Sequence, residues 1–188
     1  ETLGVDIEEV RNGIGSDKRI GFNFIYPGCG YGGSCFPKDL KSLIASNKEL
    51  GLDSKILKAV EEVNDHQKKS LFKKLNYALN GEIEGRSIAL WGLSFKPGTD
   101  DMRESPSRVL IEEVINAGEN IKTFDPEAME ECKRIYGNDK ITYQKDPLSC
   151  LEDSVALVIC TEWQLFWKIE PKQIQDYLDG NTVIDGRN

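Results

Sequence analysis

Apolar positions recur along this chain at two different periods, and the change of period divides it. Val5, Ile7, Val10 and Ile14 stand among charged residues at near-helical spacing, which predicts a short amphipathic helix from Val5 to Ile14. Leu40, Leu43 and Ile44 predict a second helix running to about Leu50, with Gly51 closing it as the residue just past the end. Leu52, Ile56, Val60, Val63, Gln67, Leu71, Leu75 and Leu79 then repeat at helical spacing, with no Gly or Pro before Gly81. A helix of about 27 residues would be about 40 Å long, more than a compact domain needs. Such a rod bridges two domains or forms an oligomer interface. Asn64 and Asp65 interrupt its apolar stripe and suggest no chemistry by themselves.

Gly81 to Gly85 is a turn-rich, charged hinge, and beyond it the texture changes. Short apolar runs at 87–91, 121–124, 141–143, 155–160 and 182–185 alternate with helical patterns at 105–117, 127–136 and 171–178. The run Val155 to Cys160 is apolar throughout, as in a strand buried on both faces. The fold class expected is α/β: an all-helical region with a long connecting helix, followed by a Rossmann-like, doubly wound parallel sheet. The expected division is a helical domain over 1–80 and a second domain over 86–188.

Between the first two helices lies a stretch that neither period explains, Gly28-Cys29-Gly30-Tyr31-Gly32-Gly33-Ser34-Cys35-Phe36-Pro37-Lys38-Asp39. Its glycines let the backbone press N–H groups against a ligand or a neighbouring segment. Ser34 reads as the N-cap of the following helix, with Pro37 tolerated in the first turn. Cys35 would then sit at a helix N-terminus, where free N–H groups and the dipole favour a thiolate. With Asp39 one turn on, this is the outline of a covalent-catalysis site. A glycine loop before a helix is common, however, and most free cysteines are small buried hydrophobes. Spacing alone leaves both readings open.

Composition removes several classes of function. The formal net charge of −8 argues against general nucleic-acid binding, which needs a concentrated basic face. An anionic ligand would need Lys or Arg placed locally against that field. No apolar run approaches the roughly 20 residues of a membrane span. Five cysteines without C-x-x-C spacing, and His66 as the one histidine, argue against a zinc site or a disulfide framework. Reduced thiols in a cytoplasmic protein fit better. Phe22-Asn23-Phe24-Ile25-Tyr26 reads as core-packing aromatic sequence, and Lys18-Arg19 as solvated surface. The turn Gly92-Leu93-Ser94 after the first strand lacks a G-x-G-x-x-G fingerprint, so dinucleotide binding by this half is not expected.

Gly-Tyr-Gly-Gly-Ser-Cys-Phe-Pro-Lys-Asp at 30–39 resembles the catalytic-cysteine segment of the nucleotide-sugar 6-dehydrogenases, the UDP-glucose/GDP-mannose dehydrogenase family. Phe-Lys-Pro-Gly-Thr-Asp-Asp-Met-Arg-Glu-Ser-Pro at 95–106 and Asp-Gly-Arg at 185–187 resemble segments of that family's nucleotide-sugar-binding domain. The resemblance covers essentially the whole chain. It implies Cys35 as nucleophile, Asp39 in proton transfer or water orientation, and NAD as the oxidant. UDP-glucose is the implied substrate, with GDP-mannose or a UDP-N-acetylhexosamine as alternatives. A non-catalytic nucleotide-binding or dimerisation module is the competing class.

By the same resemblance, Phe24, Ile25, Tyr26, Gly32 and Phe36 would hold base and sugar. Phe95, Lys96 and Arg187 would hold sugar and diphosphate, and Cys35 and Arg103 would face the cofactor. Arg19 would reach a neighbouring subunit's site in a homodimer or larger assembly. The chemistry implied is two hydride losses at the sugar C6, the second from a thiohemiacetal on Cys35, ending in a thioester that water hydrolyses. A cofactor domain, and the family's catalytic lysine and asparagine, would precede residue 1. This stretch is expected to be inactive alone.

Overall fold

The computed structural model describes residues 2–82 and 85–187; residues 83–84, inside the expected hinge, lie outside the described residues. Three helices come first: α1 (Ile7–Gly15), α2 (Phe36–Glu49) and α3 (Lys55–Ala78). Asp6 caps α1 by accepting from the Glu8 N–H at 2.8 Å, so the helix starts two residues later than the apolar pattern suggests. Gly51, at φ 71°, follows α2 in the left-handed conformation expected of it. Cys35, not Ser34, is the N-cap of α2, and Pro37 falls within the first turn.

The rest is β1 (Ser87–Trp91), α4 (Pro106–Asn116), β2 (Asn120–Phe124), α5 (Met129–Tyr136), β3 (Ile141–Tyr143), β4 (Ala156–Ile159), α6 (Pro171–Tyr177) and β5 (Thr182–Asp185). The five strands are all parallel, in the order β3-β2-β1-β4-β5. Ile88 pairs with Ile121 on one side and Ala156 on the other, so β1 is central. Chain order reverses between β1 and β4, which makes their carboxyl ends the switch point where such sheets hold ligands.

Strand alternation sends side chains to both faces of the sheet. On one face, Ile88 and Leu90 join Leu110, Ile111 and Val114 of α4, Cys132 of α5, and Leu71 and Leu75 of α3 in one buried cluster. On the other, Ala89, Trp91 and Leu157 pack with Leu151, Phe166 and Leu178. Trp91 stacks on Phe166 with centroids 5.0 Å apart and donates its indole N–H to the Pro147 carbonyl at 2.9 Å. The long helix is therefore not a free rod. Its C-terminal half is part of the sheet's core, while Ile56 and Val63 of its first half stay exposed.

The aromatic run before the cradle departs from expectation. Phe22, Phe24 and Tyr26 are exposed, and Phe24 is left-handed at φ 64°. Core packing is not their role within this chain.

Candidate active site

The glycine stretch is pinned between α3 and the loop after β1. Asn64 of α3 holds Tyr31 at both ends of its residue, accepting from its N–H at 2.8 Å and donating to its carbonyl at 3.2 Å. Gln67, one turn on, donates to the Gly28 carbonyl at 3.1 Å. From the other side the Arg103 carbonyl accepts the Gly33 N–H at 2.7 Å. Gly32 has no room for a side chain, because a Cβ there would collide with the Glu104 carbonyl. Gly33, at φ 91°, lies against the Phe95 ring, which a Cβ would approach to 2.8 Å. Both positions need glycine for stated reasons, one steric and one conformational as well.

The same stretch divides its two cysteines. Cys29 is buried in one core cluster with Cys160 and Leu71, its sulfur against Gly186. The neighbouring Cys29 thiol and burial hold the Cys160 thiol well above its ordinary range. Burial likewise pushes Cys132 up to about 11. Cys35 alone of the five is exposed. It stands at the first turn of α2 with the Ser34 hydroxyl 3.6 Å from its sulfur. Its carbonyl accepts the Asp39 N–H at 2.8 Å, which places the Asp39 carboxylate one helical turn away. That carboxylate is exposed, with the Lys38 ammonium at 3.2 Å. Phe36, also exposed, meets Tyr31 edge-on at 4.9 Å.

Arg187 follows β5 and is fixed by backbone acceptors. Its Nε donates to the Cys160 carbonyl at 2.7 Å and a terminal N–H to the Phe95 carbonyl at 3.2 Å. Glu162 lies beside it, with a carboxylate oxygen 3.0 Å from Nε. Nε–H already points at Cys160, so this is a charge contact rather than a second hydrogen bond. Arg187, Glu162, Thr161, Asp185, Tyr26 and Pro27 share the wall of a cavity of about 810 Å³ at the ends of β4 and β5. Lys96 is exposed, its ammonium 5.4 Å from the centroid of the Phe95 ring. Arg11 of α1 lies 4.7 Å over the Tyr26 ring.

The residues expected from the sequence are thus only partly gathered. Gly32, Cys35, Phe36, Phe95, Lys96 and Arg187 belong to segments that touch through the Gly33–Phe95 and Arg187–Phe95 contacts, and Tyr26 shares the Arg187 cavity. Ile25 is half-buried beside them in sequence, whereas Phe24 faces outward. Arg103 is exposed and forks onto Asp101 with bonds of 2.9 and 2.8 Å, which raises its already high pKa and lowers that of Asp101. Arg19 is exposed and paired only with its neighbour Asp17 at 2.5 Å among the contacts described.

Residues that sequence reasoning passed over complete the framework. Asn64 and Lys68 are buried on the stripe with Leu71 and Leu75, Gln67 is exposed on the same helix, and Glu104 and Glu162 come from the strand-end loops. A polar residue on an otherwise apolar helical stripe was the available signal.

At the β1 end, where a dinucleotide-binding sheet leaves an anion nest, this sheet fills the nest itself. The buried Asp125 carboxylate accepts from the Leu93 and Ser94 N–H groups at 2.7 and 3.2 Å, and from the Trp163 indole at 3.1 Å. Its other oxygen accepts from Glu127 and Ala128, each at 2.9 Å. These residues do not fit a dinucleotide pyrophosphate.

Residues 89–188 match the UDP binding domain of the UDP-glucose/GDP-mannose dehydrogenase family, and residues 1–66 match its central domain. The UDP-glucose 6-dehydrogenase of Pseudomonas aeruginosa is 47% identical over 189 residues, covering 98% of this chain and 42% of that protein. A UDP-glucose dehydrogenase structure from the archaeon Pyrobaculum islandicum is similar with a TM-score of 0.90 and 36% identity, covering 100% of this chain and 41% of that one. The structure of a UDP-D-ManNAc dehydrogenase from Pyrococcus horikoshii gives 0.82 at 26% identity, with coverage of 100% and 41%. The chain thus spans about two fifths of the length of the relatives it matches.

Proposed function

Because the chain belongs to the UDP-glucose/GDP-mannose dehydrogenase family, we propose that it supplies the nucleophile and the nucleotide-sugar site of an enzyme oxidising UDP-glucose to UDP-glucuronate. One observation carries this reading. The exposed Cys35 starts a helix on a glycine loop that is tied to the strand-end loops bearing Phe95, Lys96 and Arg187. A nucleotide diphosphate lying along Lys96 and Arg187 would bring its sugar toward the cradle. The division into a helical part over 1–80 and a nucleotide-sugar part over 86–188 belongs to the same proposal.

In this reading the Cys35 sulfur adds to the C6 aldehyde carbon and forms a thiohemiacetal. Oxidation of that adduct to a thioester needs a hydride acceptor, NAD in this family. Water then attacks the thioester carbon and the thiolate leaves. Asp39, exposed and one turn from Cys35, is placed to orient that water or take its proton. Arg103 is the group of this chain assigned to the cofactor side. Phe24, Ile25, Tyr26, Gly32 and Phe36 are assigned to base and sugar. Arg19 is assigned to a second copy's site, and the exposed Ile56 and Val63 support such a homodimer. Free cysteines support a cytoplasmic setting, and no helix among the described residues is long and apolar enough to cross a membrane.

The test is Cys35→Ala in the enzyme that includes the cofactor domain. Acid production is expected to vanish, while Cys29→Ala, altering a buried thiol, keeps the nucleophile. Uronic acid formed at the wild-type rate by Cys35→Ala would overturn the reading.

A further inference from the structure

We infer that Glu104 is a positioning residue that holds the glycine cradle, and with it Cys35, against the strand-end loops. This rests on the reading of Cys35 as the acylated nucleophile. Glu104 occupies the turn between the loop after β1 and α4, with φ at 54°, a conformation that a non-glycine residue adopts only under constraint. That conformation sets its carbonyl against Gly32, directly beside the Arg103 carbonyl that accepts the Gly33 N–H. Two successive peptide groups therefore face the cradle.

The side chain of Glu104 makes the second half of the clamp. One carboxylate oxygen accepts from Lys68 of α3 at 3.0 Å, the other from Lys41 of α2 at 3.2 Å. Lys68 is only 4% exposed, so its ammonium depends on Glu104 for compensation. Lys41 is on the helix that begins at Cys35, and Lys68 is one turn beyond the Asn64 that pins Tyr31. A single residue thus connects α2, α3 and the sheet's switch-point loop around the nucleophile. Lys68, hydrogen-bonded to it, holds the Glu104 carboxyl below its ordinary range, consistent with a carboxylate committed to this contact.

The expected signature is selective. Only the second oxidation uses the Cys35 sulfur, so loosening the cradle should slow that step and spare the first. In the enzyme with its cofactor domain, Glu104→Gln keeps the shape and loses the charge. With the aldehyde supplied directly, its kcat should fall about tenfold, with KM for the nucleotide sugar changed less than about twofold. With the alcohol supplied, aldehyde should accumulate in a semicarbazide trap. In the 188-residue chain, amide exchange across residues 30–35 should quicken in Glu104→Gln, a readout independent of turnover. Lys68→Met combined with Glu104→Gln removes the uncompensated ammonium and should restore stability without restoring aldehyde oxidation. Equal loss in both oxidations, an effect confined to KM, or unchanged exchange and kinetics would overturn the positioning role. Wild-type acid formation by Cys35→Ala would instead remove the nucleophile reading, and this inference with it.

Discussion

Cys35 and Cys29 lie six positions apart in one loop and have opposite fates, which shows what a thiol's surroundings add to its sequence context. Cys29 turns inward to Cys160 and Leu71, and Cys35 begins a helix at the surface. Alkylation with iodoacetamide in the folded chain should therefore modify Cys35 at least about tenfold faster than any of the other four, since those react only when the structure opens. Peptide mass mapping at short times reads this directly. Modification of Cys29 or Cys160 at a comparable rate would mean the cradle does not stay docked. Cys35 was legible as a candidate nucleophile through the resemblance of residues 30–39 to a known catalytic-cysteine segment, since spacing alone left a buried thiol equally open. Its supports were not, because Asn64, Lys68, Glu104 and Glu162 each acquire a role only from a partner 25 or more positions away. Ser34 illustrates the limit at short range. It has the right side chain for a cap, yet the N-cap falls one residue later, on Cys35, and the helix begins at Phe36.

At the scale of elements, periodicity placed every α-helix and strand among the described residues within two or three residues. It missed the short 3-10 turns at Leu148–Cys150 and Phe166–Lys168, and it could not say what each helix covers. In α3 the helical spacing of apolar positions runs from Ile56 to Leu75, interrupted by the polar residues at 64–68, yet its first half is exposed and its second half lies in the core of the sheet. The difference comes from the sheet, which offers an apolar face to Leu71 and Leu75 and ends before Val63. Leu75 is 0% exposed, so Leu75→Ala should cost about 2–5 kcal/mol in chemical denaturation, lost packing and residual cavity together. Val63→Asp is the companion variant, and Val63 is 66% exposed. Its effect on the unfolding of a single chain should be within about 0.5 kcal/mol. If the exposed half is a dimer face, sedimentation at micromolar concentration should show Val63→Asp as a monomer under conditions where the parent associates. An unfolding midpoint indifferent to Leu75→Ala would disprove the docking of α3 on the sheet.

At the scale of the whole molecule, the parallel sheet has the topology of a dinucleotide-binding fold, with its usual anion nest closed by Asp125. A nucleotide is therefore expected off that turn, on the side of Arg187 and its cavity, where Tyr26 arrives from the helical part. There the charged lining is net negative rather than positive, because Glu162 lies against Arg187 and Asp185 and Glu8 share the cavity wall. A diphosphate must compete with Glu162 for the guanidinium. Calorimetry on the 188-residue chain should then show UDP binding weakly, GDP more weakly, and NAD not measurably at millimolar concentration. Arg187→Ala should abolish the UDP signal, since it removes the planar fork and the contact with the Phe95 loop together. Glu162→Gln should act in the opposite direction. Relieving a partly exposed ion pair is worth roughly 0.2–1 kcal/mol, so UDP should bind up to about fivefold tighter. Higher salt should weaken UDP binding in both the parent and Glu162→Gln. Equal affinity for UDP and GDP would refute the base assignment, and tight NAD binding would refute the closure of the nest. Unchanged UDP affinity in Arg187→Ala would move the diphosphate away from β5 altogether, leaving Lys96 as the phosphate ligand.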